Sequence, residues 1–212
     1  MQSEMDVVLA EQLSYWCQQL AGAPALLDLP TDHPRPRVQS YHGAHHTLLL
    51  PHTILNQIHM LAQREGVTPF MILLAAFQVL LMRYSGQTDI VVGTPIANRS
   101  QIEMEGVMGY LLNTLALRCQ LGGNPRFCDV LKQVREVALG AYAHQDVPFE
   151  KVVEALQPER TLSHSPLFQV MFVLQNAAES LHLTDLSITT LEAEGEIAKC
   201  DLTLYVLEKG HS

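Results

Sequence analysis

Charged residues are scarce in this 212-residue sequence: they make up 17% of it, against 48% hydrophobic residues. The net charge is −9, and no cluster of lysine and arginine stands out on any predicted helix or strand. A nucleic-acid-binding protein normally presents a cationic face to the phosphates. The composition therefore predicts a globular protein with a large core and argues against a nucleic-acid partner.

Long apolar runs are also lacking. The longest one, residues 70–77, is far shorter than the roughly 20 residues that a membrane-spanning helix needs. The N-terminus shows no basic segment followed by an apolar one, which is the pattern of a secretory signal peptide. Both observations predict a cytoplasmic protein, or part of one, with no membrane partner.

Cysteine is rare and scattered, which argues against a zinc or disulfide framework. The four cysteines, at positions 17, 119, 128 and 200, form no C-x-x-C pair, so reduced thiols are expected. His45 and His46 are adjacent, and neighbours on a strand point to opposite faces, so they cannot share one ion. We expect one to face the core and the other the solvent, and we predict no metal site.

Apolar periodicity predicts a mixture of helices and strands in irregular order. The predicted helices cover residues 9–22, 54–66, 69–84, 127–141 and 148–156. The predicted strands cover residues 45–50, 89–94, 111–121, 167–175, 183–191 and 200–207. Residues 23–43 hold four prolines and few apolar anchors, which favours an extended segment across the surface. The order predicts an α/β fold, an α+β sandwich with a mixed sheet and helices packed on it.

Two helix starts carry the same signal, a capping residue followed by proline: Thr68-Pro69 and Asn124-Pro125. Residues 167–175 are apolar on both faces, as a central strand covered on each side must be.

Polar residues between the two last predicted helices form the segment His144-Gln145-Asp146-Val147-Pro148-Phe149-Glu150. Asp146 is placed to cap the second helix, and Glu150 lies in its first turn, where its charge suits the helix dipole. That interpretation leaves His144 and Gln145 unexplained.

Arg99 and Asn113 are the other unusual polar residues. Arg99 ends the turn after a strand of buried type, where sheets commonly present functional groups. Asn113 interrupts an apolar run, so its amide is either buried and hydrogen-bonded or facing a channel.

Taken together, several segments resemble the condensation domains of nonribosomal peptide synthetases, in the chloramphenicol-acetyltransferase-like superfamily. The likeness runs from about residue 9 to residue 207, and the matching motifs occur in register. The segments that carry it are Tyr15-Trp16, Leu29-Pro30-Thr31-Asp32, Gly66-Val67-Thr68-Pro69-Phe70, residues 83–95, residues 109–114, residues 144–150 and residues 165–170.

The resemblance implies one of two lobes that enclose a tunnel, in which an acceptor amine attacks a donor thioester and an amide forms. The family's catalytic histidine lies in the motif H-H-x-x-x-D-G of the N-terminal lobe, which this sequence lacks. The resemblance therefore implies that residues 1–212 are a C-terminal lobe with no catalytic residue of its own. The family's final strand and helix are not found, and the chain alone is expected to be inactive.

The resemblance also implies supporting roles for six residues. Arg99 matches an arginine expected to pair with the aspartate of the missing motif, and Asn113 and Thr114 match tunnel-side positions. His144, Gln145 and Asp146 match a motif near the lobe interface, where shaping the fold and contacting substrate are equal alternatives.

The partners implied are the N-terminal lobe of the same domain, peptidyl and aminoacyl carrier proteins, and an adjacent adenylation domain. No cofactor is expected to bind directly, because substrates arrive on the 4'-phosphopantetheine arms of the carriers. An isolated lobe is expected to expose apolar surface and to self-associate. The alternative is a non-catalytic module that binds carrier proteins or docks to another part of a synthetase.

Overall fold

The computed structural model of the protein describes residues 2–99, 106–109, 111–159, 161–175 and 197–208, the first five of them as backbone only. The described helices are α1 (Gln2–Leu20), α2 (His52–Glu65), α3 (Pro69–Ser85), α4 (Phe127–Ala143) and α5 (Phe149–Leu156). The described strands are β1 (Asp89–Ile96), β2 (Asn113–Gln120), β3 (Val170–Gln175) and β4 (Leu202–Leu207).

The four strands form one mixed sheet in the order β2-β1-β3-β4. Strands β1 and β2 are antiparallel, whereas β1, β3 and β4 run parallel to one another. The predicted mixed α/β architecture is confirmed. The three parallel strands end on one side of the sheet, and β2 begins there, with Asn113 opposite Ile96. We call this side the carboxyl edge.

Strand β3 is the central strand that its sequence predicts. Val170 and Phe172 have no exposed surface, and the Phe172 ring lies 5.3 Å from that of Phe70 and 6.0 Å from that of Phe77, centroid to centroid. Burying such a side chain contributes about 1.5–3 kcal/mol relative to exposure. Helix α3 therefore covers one face of the sheet.

Close packing at β1 explains a glycine in the middle of that strand. A Cβ atom at Gly93 would lie 2.3 Å from the ring of Phe168, which is itself buried. Real Cβ atoms do not approach so closely, because interiors pack at van der Waals contact. Gly93 thus permits the Phe168 ring to lie against the sheet.

The beginning of α3 matches its sequence signal, because the Thr68 hydroxyl accepts a hydrogen bond from the N–H of Met71 at 3.3 Å. The helix ends at Gly86, which adopts the left-handed conformation. The matching prediction for Asn124-Pro125 is wrong. Helix α4 begins two residues later, and its cap position is Arg126, whose side chain makes no capping bond.

The prediction of a strand over residues 45–50 is also wrong. Within the described residues this segment joins no sheet, and Leu48 and Leu49 are 75% and 85% exposed. An apolar run becomes a strand only where a partner pairs with its backbone, and here the nearest pairing is a single bridge between His42 and Ile197. His45 and His46 are both exposed rather than divided between core and solvent. The strand predicted at 183–191 lies outside the described residues.

The segment 23–43 crosses the surface as predicted, and two glutamines outside it fix its path. Buried Gln169 accepts from the N–H of Leu27 at 2.8 Å and donates to the carbonyl of Ala25 at 3.1 Å. Half-buried Gln87 accepts from the N–H of Asp28 at 2.7 Å. An extended segment forms few hydrogen bonds within itself, so these side chains supply partners for its backbone.

Farther along, the same segment is tied to the start of β4. The guanidinium of Arg35 forms a bidentate ion pair with Asp201 and also donates to the carbonyl of Ser163 at 3.3 Å. The Asp201 carboxylate holds the pKa of Arg35 above its ordinary value, with burial acting in the opposite direction.

A buried ion pair joins the sheet to the C-terminus of α1. Arg118 of β2 donates to both oxygens of Asp89, at 2.9 and 2.7 Å, and to the carbonyls of Gln19 and Ala21, at 3.1 and 2.7 Å. Carbonyls at a helix C-terminus lack intrahelical partners, and a cation is favourable there. Arg118 thus satisfies the end of α1 and fixes its position on the sheet.

Among the described residues, no single helix has the length and apolar composition to cross a membrane. Helices α2 and α3 reach that length and composition only when taken together, as a pair bent by 104°.

Removing the cation of this junction is expected to destabilise the protein. The variant Arg118→Met leaves Asp89 and two helix carbonyls without their partner, which costs about 3 kcal/mol. The matched control Arg64→Met removes an ion pair whose arginine is 70% exposed, and such pairs contribute less than about 1 kcal/mol. Urea unfolding of chain 1–212 measures both, and equal losses would contradict this role for Arg118.

Burial of a thiol predicts a pH dependence of stability. Burial of Cys119 raises the pKa of its thiol from 9.0 to about 12, partly opposed by a hydrogen bond from Gln78. Between about pH 9 and pH 12 the unfolded chain loses this proton while the folded chain keeps it, so stability falls as pH rises. The advantage of the wild type over Cys119→Ala is therefore expected to shrink by up to about 1.4 kcal/mol per pH unit. Urea unfolding at about pH 8 and about pH 10.5 tests this, and a constant difference would refute it.

Candidate functional site

The loop between α4 and α5 lies at the carboxyl edge and is held there by Asn113. Together with Phe149, the first residue of α5, it makes up residues 144–149, which we call the 144–149 loop. The Asn113 amide donates to the carbonyls of Gln145 and Val147, at 2.9 and 2.8 Å. Its oxygen accepts from the N–H groups of Thr114 and Phe149, at 2.8 and 3.0 Å. All four hydrogen-bonding positions of the side chain are used. Asn113 is therefore hydrogen-bonded within the protein, which is one of the two alternatives that its position in the sequence left open.

These bonds show which residue caps helix α5. The N–H of Phe149, the first residue of the helix, is satisfied by Asn113, which is distant in sequence. The prediction that Asp146 caps this helix is wrong, because the cap position is Pro148 and no local side chain bonds there. Glu150 does lie in the first turn of α5, as predicted. Proline at the cap has no hydrogen-bonding side chain, so the cap is supplied from β2.

Asp146 instead pairs with α1. Its carboxylate accepts from the side-chain amide of Gln12 at 2.8 Å, and its backbone N–H donates to the Gln12 oxygen at 3.1 Å. Gln12 is 7% exposed, whereas Asp146 lies at the surface. A buried amide must have partners for both of its atoms, and here one residue supplies both. We call this reciprocal pair the Gln12–Asp146 clamp.

His144 is packed against α1 rather than pointing freely into solvent. Its ring stacks on Tyr15 with centroids 3.9 Å apart and an angle of 5° between planes. The His144 Nδ1 lies 2.7 Å from the carbonyl of Gly140, and its own carbonyl accepts from the indole N–H of Trp16 at 2.7 Å. Burial raises the pKa of Tyr15. The contacts present give His144 a packing role at this junction.

Thr114 sits beside Asn113 at the beginning of β2. It pairs with Pro95 of β1, and its side chain lines a narrow gap with Trp16, Phe149 and Val152. The gap lies between α1, α5 and the sheet, directly beneath the 144–149 loop. The tunnel-side position of Thr114 and Asn113 stays a prediction.

Arg99 lies three residues beyond the end of β1, on the same side of the sheet. Its guanidinium donates to the carbonyl of Val107 at 2.8 Å, and Asn98 before it adopts the left-handed conformation with φ of 51°. The ion pair of Arg99 with an aspartate of another lobe stays a prediction.

The structure therefore brings five of the six predicted residues into one cluster and places the sixth on the same edge. Asn113 and Thr114 of β2 meet the loop that contains His144, Gln145 and Asp146. Arg99 follows the strand that pairs with β2. Parallel strands commonly present functional groups at their carboxyl ends.

The sequence analysis missed the contribution of α1. Gln12 and Trp16 are one helical turn apart and both buried, and Tyr15 lies beside them. A polar residue on the apolar stripe of a helix must find a buried partner. That periodicity signals Gln12, although it cannot name Asp146 as the partner.

The described residues include no group of three or more histidine, cysteine, aspartate or glutamate side chains placed to hold one metal ion.

Comparison with known proteins identifies the family. The family model for the condensation domain matches residues 2–212, and the chain therefore belongs to the condensation-domain family. Two of the proteins that make up linear gramicidin synthase in Brevibacillus parabrevis are 55% identical over 204 residues and 56% identical over 205 residues. Each alignment covers 95% of this chain but only 3% and 4% of those synthase proteins, so the chain spans a small part of the curated relatives it matches.

Solved structures agree with this assignment. The X-domain in the complex of the X-domain and OxyB from teicoplanin biosynthesis superposes with a TM-score of 0.88 at 28% identity. That match covers 99% of this chain and 46% of the X-domain chain. The four-domain nonribosomal peptide synthetase holo-AB3403 matches with a TM-score of 0.76 at 30% identity, over 78% of this chain and 13% of its own. The predicted fold class and family resemblance are confirmed.

Replacing Asn113 by aspartate is expected to open the loop. The variant Asn113→Asp sets carboxylate oxygens against the carbonyls of Gln145 and Val147, so two buried acceptors lose their donor at a cost of about 2–3 kcal/mol. The matched control is Asn56→Asp on the exposed side of α2, where surface substitutions change stability by less than about 0.5 kcal/mol. Urea unfolding of chain 1–212 compares the two. Similar stability of both variants would show that Asn113 does not hold the loop.

Proposed function

We propose that this chain is the C-terminal lobe of a condensation domain in a nonribosomal peptide synthetase and forms one wall of an amide-forming passage. The observation that carries the proposal is the family match over residues 2–212 together with 55% identity to a linear gramicidin synthase protein. The cluster at the carboxyl edge supports the proposal, because residues that match the family's motifs lie together there.

The reaction joins two carrier-bound substrates. The amine of the acceptor aminoacyl group attacks the carbonyl carbon of the donor thioester, a C–N bond forms and the C–S bond breaks. The donor carrier's arm leaves as a thiol, which takes the proton that the amine gives up. An amine is already a good nucleophile and a thioester is activated, so holding the two in line supplies much of the acceleration.

This lobe contributes shape rather than the reacting base. The 144–149 loop has its backbone fixed by Asn113, Gln12 and Trp16, so it presents a constant surface at the carboxyl edge. The catalytic histidine that moves the proton or orients the amine comes from the N-terminal lobe. Arg99 pairs with the aspartate of that lobe and steadies its histidine loop.

The proposal includes the partners and location that the family implies. Donor and acceptor groups arrive on the 4'-phosphopantetheine arms of carrier proteins, with no cofactor bound to this lobe. The adjoining units are the N-terminal lobe and an adenylation domain, and the location is the cytoplasm. Leu48, Leu49 and Met108, exposed at 75%, 85% and 98%, are apolar surface that another unit or another copy would cover.

A condensation assay tests this function. Chain 1–212 mixed with a loaded donor carrier and a loaded acceptor carrier is expected to give no amide, because its catalytic group is absent. The complete condensation domain that includes this lobe is expected to transfer the donor group, which mass spectrometry of the acceptor carrier detects. Turnover by chain 1–212 alone would refute the placement of the catalytic group. No transfer by the complete domain would refute the function.

A second candidate is a non-catalytic docking module. The observation that favours it is the likeness to the X-domain, whose solved complex pairs it with OxyB. As a docking module the lobe binds a carrier or another part of a synthetase without making an amide. A binding titration with holo carrier protein separates the two functions: binding without transfer in the complete domain supports docking, and transfer supports condensation.

A further inference from the structure

The Gln12–Asp146 clamp joins two parts of the chain that are 134 positions apart. Gln12 uses both atoms of its amide on one residue, the oxygen on the Asp146 backbone N–H and the nitrogen on the carboxylate. The partner carboxylate lies at the surface, but the amide is buried. Buried Gln12 therefore fixes the position of exposed Asp146.

The rest of the 144–149 loop is held in the same manner. Its backbone groups form hydrogen bonds with side chains of α1 and β2 rather than with each other. Because these partners are fixed by the fold, the loop is held in one conformation. The paired groups are the carbonyls of His144, Gln145 and Val147 and the N–H groups of Asp146 and Phe149. Gln12 supplies the bond at the middle of this series, between the two carbonyls that Asn113 binds.

We propose that Gln12 is a positioning residue for amide formation, which acts through Asp146 to fix the 144–149 loop. The inference rests on the proposed function, since it concerns the rate of that reaction. The property of Asp146 that fixes the loop is its ability to accept a hydrogen bond, not its charge. The carboxylate serves as a hydrogen-bond acceptor for Gln12, so an uncharged acceptor of the same shape is expected to replace it.

Three variants separate the clamp from the charge. In Gln12→Glu a carboxylate replaces the donor amide and faces the Asp146 carboxylate, so the two repel. In Asp146→Asn the amide oxygen still accepts from Gln12, and only the charge is lost. In the double variant Gln12→Glu with Asp146→Asn, the new asparagine amide donates to the new glutamate, and the pair is rebuilt with its polarity reversed.

The complete condensation domain is assayed with loaded carriers. Gln12→Glu is expected to lower kcat about tenfold with a smaller change in KM, as expected for a loop that no longer holds its shape in the transition state. Asp146→Asn is expected to lower kcat less than Gln12→Glu does, because the asparagine oxygen still accepts the hydrogen bond from Gln12. The double variant is expected to recover at least about fivefold over Gln12→Glu, short of full rescue because position 12 desolvates the carboxylate.

A readout independent of catalysis is available in the sole tryptophan of the chain, Trp16. Trp16 is 2% exposed and donates to the His144 carbonyl at the beginning of the loop. Its emission is expected to shift to longer wavelength in Gln12→Glu and to stay as in the wild type in Asp146→Asn. The matched control is Gln18→Glu, the same change on an exposed position of the same helix, which is expected to alter neither emission nor kcat.

Two results would overturn the inference while leaving the proposed function in place. One is a wild-type kcat in Gln12→Glu despite a shifted Trp16 emission, which would show that the loop positions nothing. The other is a loss in Asp146→Asn as large as in Gln12→Glu with unchanged emission, which would show that the carboxylate itself acts. A wild-type domain that forms no amide would overturn the proposed function and, with it, this inference.

Discussion

Backbone groups outside helices and strands need hydrogen-bond partners when they are buried, and in this protein side-chain amides supply many of them. Gln169 and Gln87 fix the segment that crosses the surface after α1. Asn113 and Gln12 fix the 144–149 loop. Because an unpaired buried N–H or carbonyl costs about 1–3 kcal/mol, each amide selects one path for an otherwise irregular segment.

The need to pair these backbone groups explains how the 144–149 loop keeps one conformation at the carboxyl edge of the sheet. The strands place Asn113 opposite Ile96, where β1 ends and the chain turns toward Arg99. Arg118 and Asp89 hold α1 against the same sheet, so Gln12 reaches Asp146 from a fixed helix. The loop is therefore positioned by the sheet through Asn113 and by α1 through the clamp. Under the proposed function, it is the surface of this loop that holds the carrier-bound groups.

Local signals in the sequence predict local structure well. Thr68-Pro69 marks the beginning of α3, and the apolar run of residues 167–175 contains the buried strand β3. The predicted strand at 45–50 fails because strand formation depends on a partner, which no local pattern reveals. The motifs in register identify the family, which neither composition nor periodicity indicates.

The same distinction explains the candidate site. Sequence reasoning selected Asn113 and Asp146 because polar residues stood in unexpected places. It assigned Asp146 to the nearest helix end, whereas its partner is Gln12, 134 positions away, and the helix end is satisfied by Asn113, 36 positions away from Phe149. Contacts of that kind are set by the packing of α1 and the sheet, so the fold must be known before they can be assigned.

The most direct test of this account is hydrogen exchange at the backbone N–H groups that the side-chain amides hold. In chain 1–212 under native conditions, NMR is expected to show the N–H groups of Leu27 and Phe149 exchanging at least about 100-fold more slowly than that of exposed Leu49. Exchange of both as fast as Leu49 would contradict the claim that side-chain amides fix these irregular segments.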